Sequence, residues 1–415
     1  MKAGWDVAIV GGGIVALATA WELTQAMPDA RLLVLEKEPE VGIHQTGHNS
    51  GVIHSGLYYR PGSLKARLST SGRRRLLRFL DRHRLPYALS GKVVVAVADE
   101  ELPRLKRLLE FGLQNGVPGL REIGPEELRE IEPHVVGRRA LYSPQTGIVD
   151  YRQVALTLRD LILHAGHEVR THQQVERFVP EPEGVRLVTV SGEDVKARYA
   201  IVAAGIFTDR LARRAGLHLP ERMIPFRGDY LVVQPPQQSL VRSLVYPVPD
   251  PALPFLGVHF TKRLGDGALL IGPNAVLAAS RSRYRRGAVD LRDVADVLTF
   301  PGFWRMVRRH WRTGFVEWYR DHWAAQYVKL AQRYVPELTP HAVAWGPMGI
   351  RAQLVDAHGS LVDDFRIEAH GRLLFVLNAP SPAATSALAI AAYLVDYAAS
   401  TFGWSVKRPL DDLGS

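Results

Sequence analysis

The chain of 415 residues contains no cysteine. This absence excludes disulfide bonds, iron–sulfur clusters, thiolate zinc sites and any cofactor tethered through a cysteine sulfur. Histidine and carboxylate side chains remain as possible metal ligands. Because the 15 histidines show no HExxH pair or similar ligand spacing, we expect no metal site.

Long apolar runs are missing as well, since none approaches the roughly 18 residues needed to span a bilayer. The C-terminal run ALAIAAYLVDYAA is too short and contains Asp396, which predicts a buried core helix. At the N-terminus, Lys2, an apolar stretch and the small residues ALATA have features of a secretory signal, but Gly11, Gly12 and Gly13 interrupt the stretch. We therefore expect the chain to stay in the cytoplasm.

Acidic residues are outnumbered, with 42 Asp and Glu against 52 Lys and Arg, which gives a formal net charge of +10. This balance favours acidic partners. The excess is dispersed along the chain, and no zinc finger, basic zipper or RNP signature is present, so we do not expect nucleic-acid binding. An anionic substrate or an anionic lipid surface fits the charge better.

The N-terminal residues contain a dinucleotide-binding pattern. The apolar run WDVAIV predicts a strand, a helix follows with Ile14 on its apolar face, and RLLVLE predicts a second strand. The GxGxxA pattern assigns the tight turn to Gly11, close approach of a pyrophosphate to Gly13, and helix packing to Ala16. Glu36 ends the unit about 20 residues on, where an acid accepts hydrogen bonds from ribose hydroxyls. The sequence therefore predicts a nucleotide site.

Later segments predict the rest of a large α/β protein, and the length and the content of 47% hydrophobic and 23% charged residues are typical of two or three globular domains. The run YAIVAAG is typical of another strand ending at the nucleotide. A strand is predicted over KVVVAVADEEL and an amphipathic helix over the following LPRLKRLLEFGLQNG. A short helix is predicted over GPEELREIEP. FRGDYLVVQP, FLGVHFT and GALLIGP predict an antiparallel sheet.

A strand over LLFVLN is followed by a predicted helix that begins near Ser381. Serine caps free helix amides, and Pro382 at the first helical position loses no hydrogen bond. We expect this helix N-terminus to face anionic chemistry. An ordinary capped core helix is the alternative interpretation.

The segment HNSGVIHSGLYY, from His48 to Tyr59, places two imidazoles among small residues shortly after the nucleotide unit. Together with GGGIVALATA, PGSLKARL, PVPDPALPFLGVHFT, IGPNAVLA, GIRAQLVD, LVDDF and LNAPSPAATS, it resembles the FAD-dependent L-2-hydroxyglutarate dehydrogenase (oxidase) family, within the D-amino-acid oxidase and glycerol-3-phosphate dehydrogenase superfamily. The resemblance covers nearly the whole chain. One departure is Ala16, where many members have glycine, and alanine is an accepted alternative there.

The resemblance implies an α/β fold in which a Rossmann-type FAD-binding domain is interrupted by an α+β substrate domain with a mixed or antiparallel sheet. The FAD-binding domain is then expected over 1–78, 145–215 and 335–415, and the substrate domain over 79–144 and 216–334. It also implies noncovalent FAD, with contacts from Gly11, Gly13, Ile14, Ala16, Glu36, Lys37, His48, Asn49, Ser50, Gly51, Val175, Ala204, Gly205, Pro380, Ser381, Ala383, Ala384 and Thr385.

The implied reaction oxidises L-2-hydroxyglutarate to 2-oxoglutarate by hydride transfer to flavin while a base takes the hydroxyl proton. Neutral imidazole suits that base. The candidates are His54, our first choice, and then His259 and His48, of which His48 has flavin contact or support as an alternative role.

A dicarboxylate substrate requires cations, and arginine binds a planar carboxylate through two parallel hydrogen bonds. The leading candidate is Arg351 in GIRAQ, at a stage of the chain where the superfamily has a cation. Further candidates for substrate binding are Lys65, Arg67, Arg227, His259, Tyr58 and Tyr59.

Other functions stay open at this stage: a flavin amine or amino-acid oxidase of the same fold, a nonenzymatic nucleotide-binding protein at a membrane, or a nicotinamide-dependent dehydrogenase. The electron acceptor is either a quinone or oxygen.

The segment 300–323 carries Trp304, Trp311 and Trp318 at helical spacing beside four arginines. One interpretation is an interfacial helix on anionic lipid, as in a peripheral protein at the inner face of the cell membrane. The alternative is a helix whose tryptophans pack on the substrate domain or on another subunit. Gly314 is a candidate for a break in this helix.

Overall fold

The computed structural model describes residues 4–250 and 257–407. Its strands are β1 (Trp5–Val10), β2 (Leu32–Leu35), β3 (Val52–Ile53), β4 (Tyr87–Ala88), β5 (Lys92–Ala96), β6 (Arg121–Ile123), β7 (Arg139–Ser143), β8 (Gly147–Val149), β9 (Glu168–Arg170), β10 (Val175–Glu181), β11 (Gly184–Thr189), β12 (Val195–Val202), β13 (Arg222–Val233), β14 (Leu244–Pro247), β15 (His259–Lys262), β16 (Leu269–Gly272), β17 (Val276–Leu277), β18 (Val343–Val355), β19 (Arg366–His370) and β20 (Leu373–Asn378).

The helices of the described residues are α1 (Ile14–Ala26), α2 (Leu64–Arg82), α3 (Leu102–Gln114), α4 (Pro125–Ile131), α5 (Tyr151–His164), α6 (Thr208–Arg214), α7 (Leu291–Leu298), α8 (Pro301–His322), α9 (Ala324–Ala331) and α10 (Ala383–Phe402). The predicted elements around the glycine loop, β1, α1 and β2, are present with nearly the expected bounds. Of the predicted strand FLGVHFT, Phe255 and Leu256 lie outside the described residues, and β15 covers its end.

The first sheet has eight strands and a parallel centre in the order β9-β2-β1-β12-β20. The outer strands β19 and the hairpin β10–β11 pair antiparallel. Helices α1, α2, α5 and α10 cover one face, where apolar residues of these helices and of β1, β2 and β20 form the largest core cluster. The carboxyl ends of β1 and β12 meet, which is where a doubly wound sheet binds a nucleotide.

The second sheet has nine strands, and β13 lies near one end of it. β18 pairs along one side of β13, and β17 and β16 pair with different parts of its other side. The sheet continues through β15, β14, β5, β7 and β6, with β14 and β5 as its parallel pair. This is the mixed sheet expected for the second domain.

One strand departs from the expected division of the chain. β18 lies in the segment 335–415 assigned to the FAD-binding domain, yet it pairs with β13 in the second sheet. Pairing between segments more than a hundred residues apart leaves no local signal, which is why the sequence did not predict it. The other strands of the second sheet fall within 79–144 and 216–334, and the exact domain boundaries remain a proposal.

The C-terminal apolar run forms α10. Among the described residues it is the one helix long and apolar enough to cross a membrane, but 56% of its apolar window is buried in the protein. It packs in the core shared with α1 and α2. The prediction of a buried core helix agrees with this packing.

Candidate active site

The glycine loop brings the ends of β1 and β12 together. Gly11 has φ of +118°, and a Cβ there would lie 2.5 Å from the carbonyl oxygen of Ala203, so only glycine fits. The amide of Gly12 donates to the carboxylate of Glu36 at 2.5 Å. A Cβ on Gly12 would collide with that carboxylate. The first two glycines therefore fix the turn and the position of the acid.

The N-terminus of α1 begins after Gly13, with no side-chain cap and no acid in its first turn. A Cβ on Gly13 would meet only the hydroxyl of Thr46, at 3.6 Å, and otherwise open space in the cavity. Ile14 donates its amide to the same hydroxyl at 3.0 Å. The positive end of the helix and the space beside Gly13 fit a pyrophosphate. Ala16 is fully buried, as its packing role requires.

Glu36 is buried, and its carboxylate also accepts the amide of Glu38 at 2.8 Å. The carboxylate is thereby held rigidly at the end of β2, where it can accept from ribose hydroxyls. Beside it, the ammonium of Lys37 pairs with Glu38 and lies 5.0 Å from the ring centroid of Phe207. These residues fit the adenosine part of a dinucleotide.

A cavity of about 1060 Å³ runs from this loop to the second sheet. Most of the residues named from the sequence line it: Gly11, Gly13, Ile14, Glu36, Lys37, His48, Asn49, Ser50, His54, Tyr58, Tyr59, Lys65, Val175, Ala204, Gly205, His259, Arg351, Pro380, Ser381, Ala383, Ala384 and Thr385. Residues from distant parts of the chain therefore contribute to one site.

Four of the predicted contact residues do not line the cavity, and one of them is Ala16, which is fully buried in α1. Arg227 donates to Asp229 at 2.9 Å and to Asp321 at 2.5 Å, because β13 alternates its side chains and turns the neighbouring Gly228 to the cavity instead. Arg67 is exposed on α2 and is absent from the cavity lining. Gly51 also lies outside the lining and allows β3 to approach Val149, whose carbonyl oxygen would be 2.8 Å from a Cβ.

The predicted cap of the C-terminal helix is wrong in detail. α10 begins at Ala383, Pro382 is its N-cap residue, and no side chain caps the helix. Ser381 is exposed. The hydroxyl of Thr385, in the first turn, bonds instead with that of Tyr151 at 2.7 Å and accepts the backbone amide of His54 at 3.2 Å. The helix start is therefore tied to the segment that carries the first candidate base.

His54 has a buried Nδ1 with no hydrogen-bond partner in the described structure. Burial lowers the pKa of its imidazole to about 3, and the nearby charges of Lys92 and Lys65 and the ring of His259 add to this. The ring is therefore neutral at working pH and has an unused polar atom in the wall of the cavity.

His259 is 5% exposed and stacks on Tyr246 at 4.2 Å between ring centroids. Its Nδ1 donates to the carbonyl of Gly257 at 2.9 Å, because a carbonyl can only accept. Burial, together with the charges of Arg351 and Lys92, lowers its pKa to about 3. The hydrogen bond fixes the tautomer, so Nε2 keeps the lone pair of a base.

His48 is held differently. Its Nδ1 donates to the carbonyl of Ile43 at 2.8 Å, and its ring stacks on Tyr284 at 3.9 Å. Its carbonyl oxygen would lie 2.7 Å from a Cβ on Gly349. These contacts make His48 a support of the cavity wall between the glycine loop and β18.

The two candidate cations that line the cavity, Arg351 and Lys65, differ in their surroundings. Arg351 is half-buried on β18 and lines the cavity. Lys65 also lines it, but its ammonium already pairs with Asp363 at 2.8 Å. Tyr58 has a buried hydroxyl without a partner, and burial raises its pKa well above the ordinary value, as it does for Tyr59. Both hydroxyls therefore stay protonated and can donate.

Sequence reasoning missed Lys92, Tyr246 and Thr46. Lys92 opens the strand KVVVA, where a charged residue is read as a solvated strand end. Strand alternation was the available signal, since Lys92 shares a face with Val94 and Ala96, which pack in the core that includes Tyr246.

Across the two described ranges, no three His, Asp or Glu side chains cluster as metal ligands would.

Helix α8 contains most of the segment 300–323. Its backbone departs from helical geometry at His310 rather than at Gly314. Trp304, Trp311 and Trp318 are 54%, 59% and 51% exposed. Their rings are thus only partly packed on the protein, and a second, mainly apolar cavity of about 700 Å³ lies between Trp311, Trp318 and the second sheet.

Comparison with known proteins agrees with this site. The family described as FAD dependent oxidoreductase (DAO) matches residues 6–397. The chain is 46% identical to the mitochondrial L-2-hydroxyglutarate dehydrogenase of Nematostella vectensis, covering 96% of this chain and 91% of that protein. It is 43% identical to the human one, covering 94% and 88%, and 41% identical to the L-2-hydroxyglutarate dehydrogenase of Indibacter alkaliphilus, covering 96% and 100%.

Solved structures show the same fold. The FAD-bound L-alpha-glycerophosphate oxidase from Mycoplasma pneumoniae superposes with a TM-score of 0.76 at 22% identity, covering 99% of this chain and 97% of that one. Glycine oxidase from Geobacillus kaustophilus gives 0.69 at 20% identity, covering 98% and 99%. The fold class and the FAD cofactor predicted from the sequence are confirmed. The chain belongs to the FAD-dependent oxidoreductase (DAO) family, among the homologues of the L-2-hydroxyglutarate dehydrogenases.

Proposed function

We propose that this protein oxidises L-2-hydroxyglutarate to 2-oxoglutarate with FAD as its cofactor. The observation that carries the proposal is the meeting of two neutral imidazoles and an arginine in a cavity continuous with the nucleotide loop. Identity above 40% over nearly the full length to enzymes of this name supports the choice of substrate. FAD, when bound, accepts the C2 hydrogen with its electron pair.

Arg351 binds the carboxylate next to C2. It reaches the cavity from β18, directly opposite Phe226 of β13, and its charge acts on His259, Tyr246 and Tyr230. A guanidinium forms two parallel hydrogen bonds with a carboxylate, which fixes both position and orientation. With the carboxylate and the hydroxyl held in place, the single hydrogen on C2 faces the cofactor in only one enantiomer, so the site distinguishes L from D.

His259 takes the proton of the substrate hydroxyl. Its tautomer is fixed by Gly257, so Nε2 is an acceptor before substrate arrives. His54, the first choice from the sequence, has no partner that fixes its tautomer, which makes it the second candidate for the base. Tyr58 and Tyr59 remain as hydroxyl donors to the substrate.

A membrane quinone is the electron acceptor that we propose, with oxygen as the alternative. The support is helix α8, where exposed tryptophans lie beside exposed Arg305, Arg308, Arg309 and Arg312. Aromatic rings and arginines on one helix suit the headgroup region of an anionic bilayer, and each basic residue near it contributes about 1 kcal/mol. We accordingly propose a cytoplasmic protein that binds peripherally to the inner face of the cell membrane.

The test is anaerobic reduction of the bound flavin. L-2-hydroxyglutarate should bleach the flavin absorbance, whereas the D enantiomer, amines and amino acids should not. Bleaching by an amino acid and not by the hydroxy acid would establish the amine-oxidase alternative. With substrate as donor, a faster reduction of a quinone analogue than of oxygen to peroxide would identify the acceptor class.

Membrane contact is tested separately by cosedimentation with anionic vesicles at low and high salt. Wild-type protein should sediment at low salt, and a variant with serine at Trp304 and Trp311 should not, while its flavin content stays unchanged. Wild-type protein that stays in the supernatant at low salt would contradict the membrane proposal.

A further inference from the structure

Lys92 and Arg281 are the two largest fully buried side chains of the described structure. Arg281 donates to the carboxylates of Asp209 and Asp296. Lys92 is 1% exposed, and burial alone lowers its pKa to about 7, with no carboxylate among the described residues to offset it. A buried ammonium without a counter-ion is rare because desolvation of the charge is unfavourable.

The ammonium lies against two aromatic rings of the cavity wall. Its Nζ is 4.5 Å from the ring centroid of Tyr58 and 4.9 Å from that of Tyr246. Both rings line the cavity, whereas Lys92 itself is not among the lining residues. The negative faces of the rings stabilise the cation, but by less than a carboxylate would.

Different pairs of cations act on the two candidate bases, His259 and His54. Arg351 and Lys92 both depress the pKa of His259, whereas Lys92 and Lys65 depress that of His54. His259 therefore lies under the influence of two cations, one from β18 and one from β5. In the proposed function, Arg351 binds one carboxylate of the substrate. Lys65, already paired with Asp363, is less available for a second carboxylate than Lys92.

We propose that Lys92 determines selectivity for dicarboxylates: its buried ammonium, held against Tyr58 and Tyr246, is the counter-charge for the substrate's distal carboxylate. A dianion supplies the partner that Lys92 lacks, whereas a monoanion held at Arg351 leaves it uncompensated. Lys92 is a specificity-determining residue that acts through the two rings it touches. The assignment of the distal end rests on the proposed function.

Proton uptake follows from this proposal. The titratable groups that contact Lys92 or lie within the influence of its charge are Tyr58, Tyr246, His54 and His259, and Lys65 and Arg351 act on the same two histidines. The tyrosines have raised pKa values and stay protonated, and the histidines have pKa values of about 3 and stay neutral at pH 8. Lys92 is mostly neutral at pH 8 in the free protein, and a bound dianion raises its pKa, so binding takes up a proton. Dicarboxylate affinity therefore falls as pH rises above about 7.

The experiment uses the FAD-bound protein and two inert ligands, glutarate and pentanoate, which have equal chain length and differ in the distal carboxylate. Binding is followed by the perturbation of flavin absorbance, and proton uptake by a pH indicator in weak buffer at pH 8. The variants are Lys92→Met, Lys65→Met as a competing assignment, and Lys106→Met as a matched lysine on the exposed side of α3.

We expect wild type to take up nearly one proton with glutarate and much less with pentanoate. In Lys92→Met, the uptake should fall to the small fraction that His259 accounts for, and the Kd for glutarate should rise about 10- to 100-fold, while the Kd for pentanoate stays within about threefold. Lys106→Met should match wild type. Since replacing a buried charge by an apolar side chain is often neutral or stabilising, the Tm of Lys92→Met should not fall.

Three results would overturn the proposal: equal weakening of both ligands in Lys92→Met, which indicates a structural role; unchanged discrimination in that variant; or loss of discrimination in Lys65→Met alone. If Lys92→Met retains no FAD, the wild-type proton uptake decides, and its absence with glutarate refutes the proposal. Wild type that binds glutarate with uptake but does not oxidise L-2-hydroxyglutarate would instead contradict the proposed function.

Discussion

Replacement of His259 by asparagine tests the assignment of the base most directly. The asparagine amide can still donate to the carbonyl of Gly257, so the local hydrogen bond is kept while the lone pair of Nε2 is lost. Removal of a general base slows the step that needs it by about 10²- to 10⁴-fold. We expect that decrease in the rate of anaerobic flavin reduction, with a nearly unchanged Kd for substrate.

The surroundings of His259 also predict how this rate depends on the substrate. A pKa of about 3 means that a proton on the free enzyme's imidazole is about 5 kcal/mol less stable than on an ordinary one. One carboxylate about 5 Å away, at an effective dielectric constant of about 20, stabilises the protonated imidazole by roughly 3 kcal/mol. Two carboxylates at that distance therefore bring the pKa of His259 back near neutrality, whereas one offsets only about three fifths of the shift. A monocarboxylate such as L-2-hydroxypentanoate should react about 100-fold more slowly even at saturation.

The sign of the pH dependence follows from the same argument. The base must be neutral, so the limiting rate with L-2-hydroxyglutarate should rise with pH through the near-neutral pKa of the complex. The free enzyme's pKa of about 3 lies far below the working range, so the base gives kcat/KM no acid limb above about pH 5.

Stopped-flow absorbance of the bound flavin at saturating substrate measures these rates. A His259→Asn variant that reduces its flavin within threefold of the wild-type rate would refute the reasoning. A large loss in His54→Asn under the same conditions would then assign the proton to His54.

Three further perturbations have defined outcomes. Gly13→Phe should give colourless apoprotein, because the space beside Gly13 is open to the cavity and a large side chain would fill it; normal flavin content after gel filtration would show that the loop is not the phosphate site. Arg351→Ala should raise the KM for L-2-hydroxyglutarate about 10- to 100-fold, measured by steady-state assay, and a wild-type response would exclude that anchor. Asp209→Asn should lower the free energy of unfolding by about 3 kcal/mol in urea titrations, since it breaks a fully buried pair with Arg281 while Asp296 still pairs; a change under 1 kcal/mol would contradict this.

The nucleotide half of the site could be predicted because its requirements are local. Gly11 must have positive φ, Gly13 must leave space, and Glu36 must end the next strand, and all three follow from residue type and spacing within one unit. Strand β12, which ends at Val202, was recognisable from its apolar run and the small residues after it. This strand pairs in parallel with β1 across nearly two hundred residues, and local sequence does not encode such a pairing.

The substrate half depends on register and burial, which local sequence does not encode. Arg227 and Gly228 are neighbours in the chain, yet strand alternation places the first with Asp229 and Asp321 and the second at the cavity. Ser381 carries a capping side chain, but the turn after β20 begins the helix two residues later. In both cases the residue type was right for the proposed role, and the backbone path decided against it.

Lys92 shows why the electrostatics of this site could not be read from composition. The chain has 52 lysines and arginines, so composition does not single out any one of them as a site residue. A lysine at the start of KVVVA is moreover typical of a solvated strand end. Its significance appears only when β5 pairs between β7 and β14, so that its side chain is enclosed by the rings of Tyr58 and Tyr246. Burial then lowers the pKa of the ammonium towards neutrality and depresses those of both histidines. A doubly charged substrate reverses both effects at once, so the chemistry of the base and the choice of a dicarboxylate have the same physical origin.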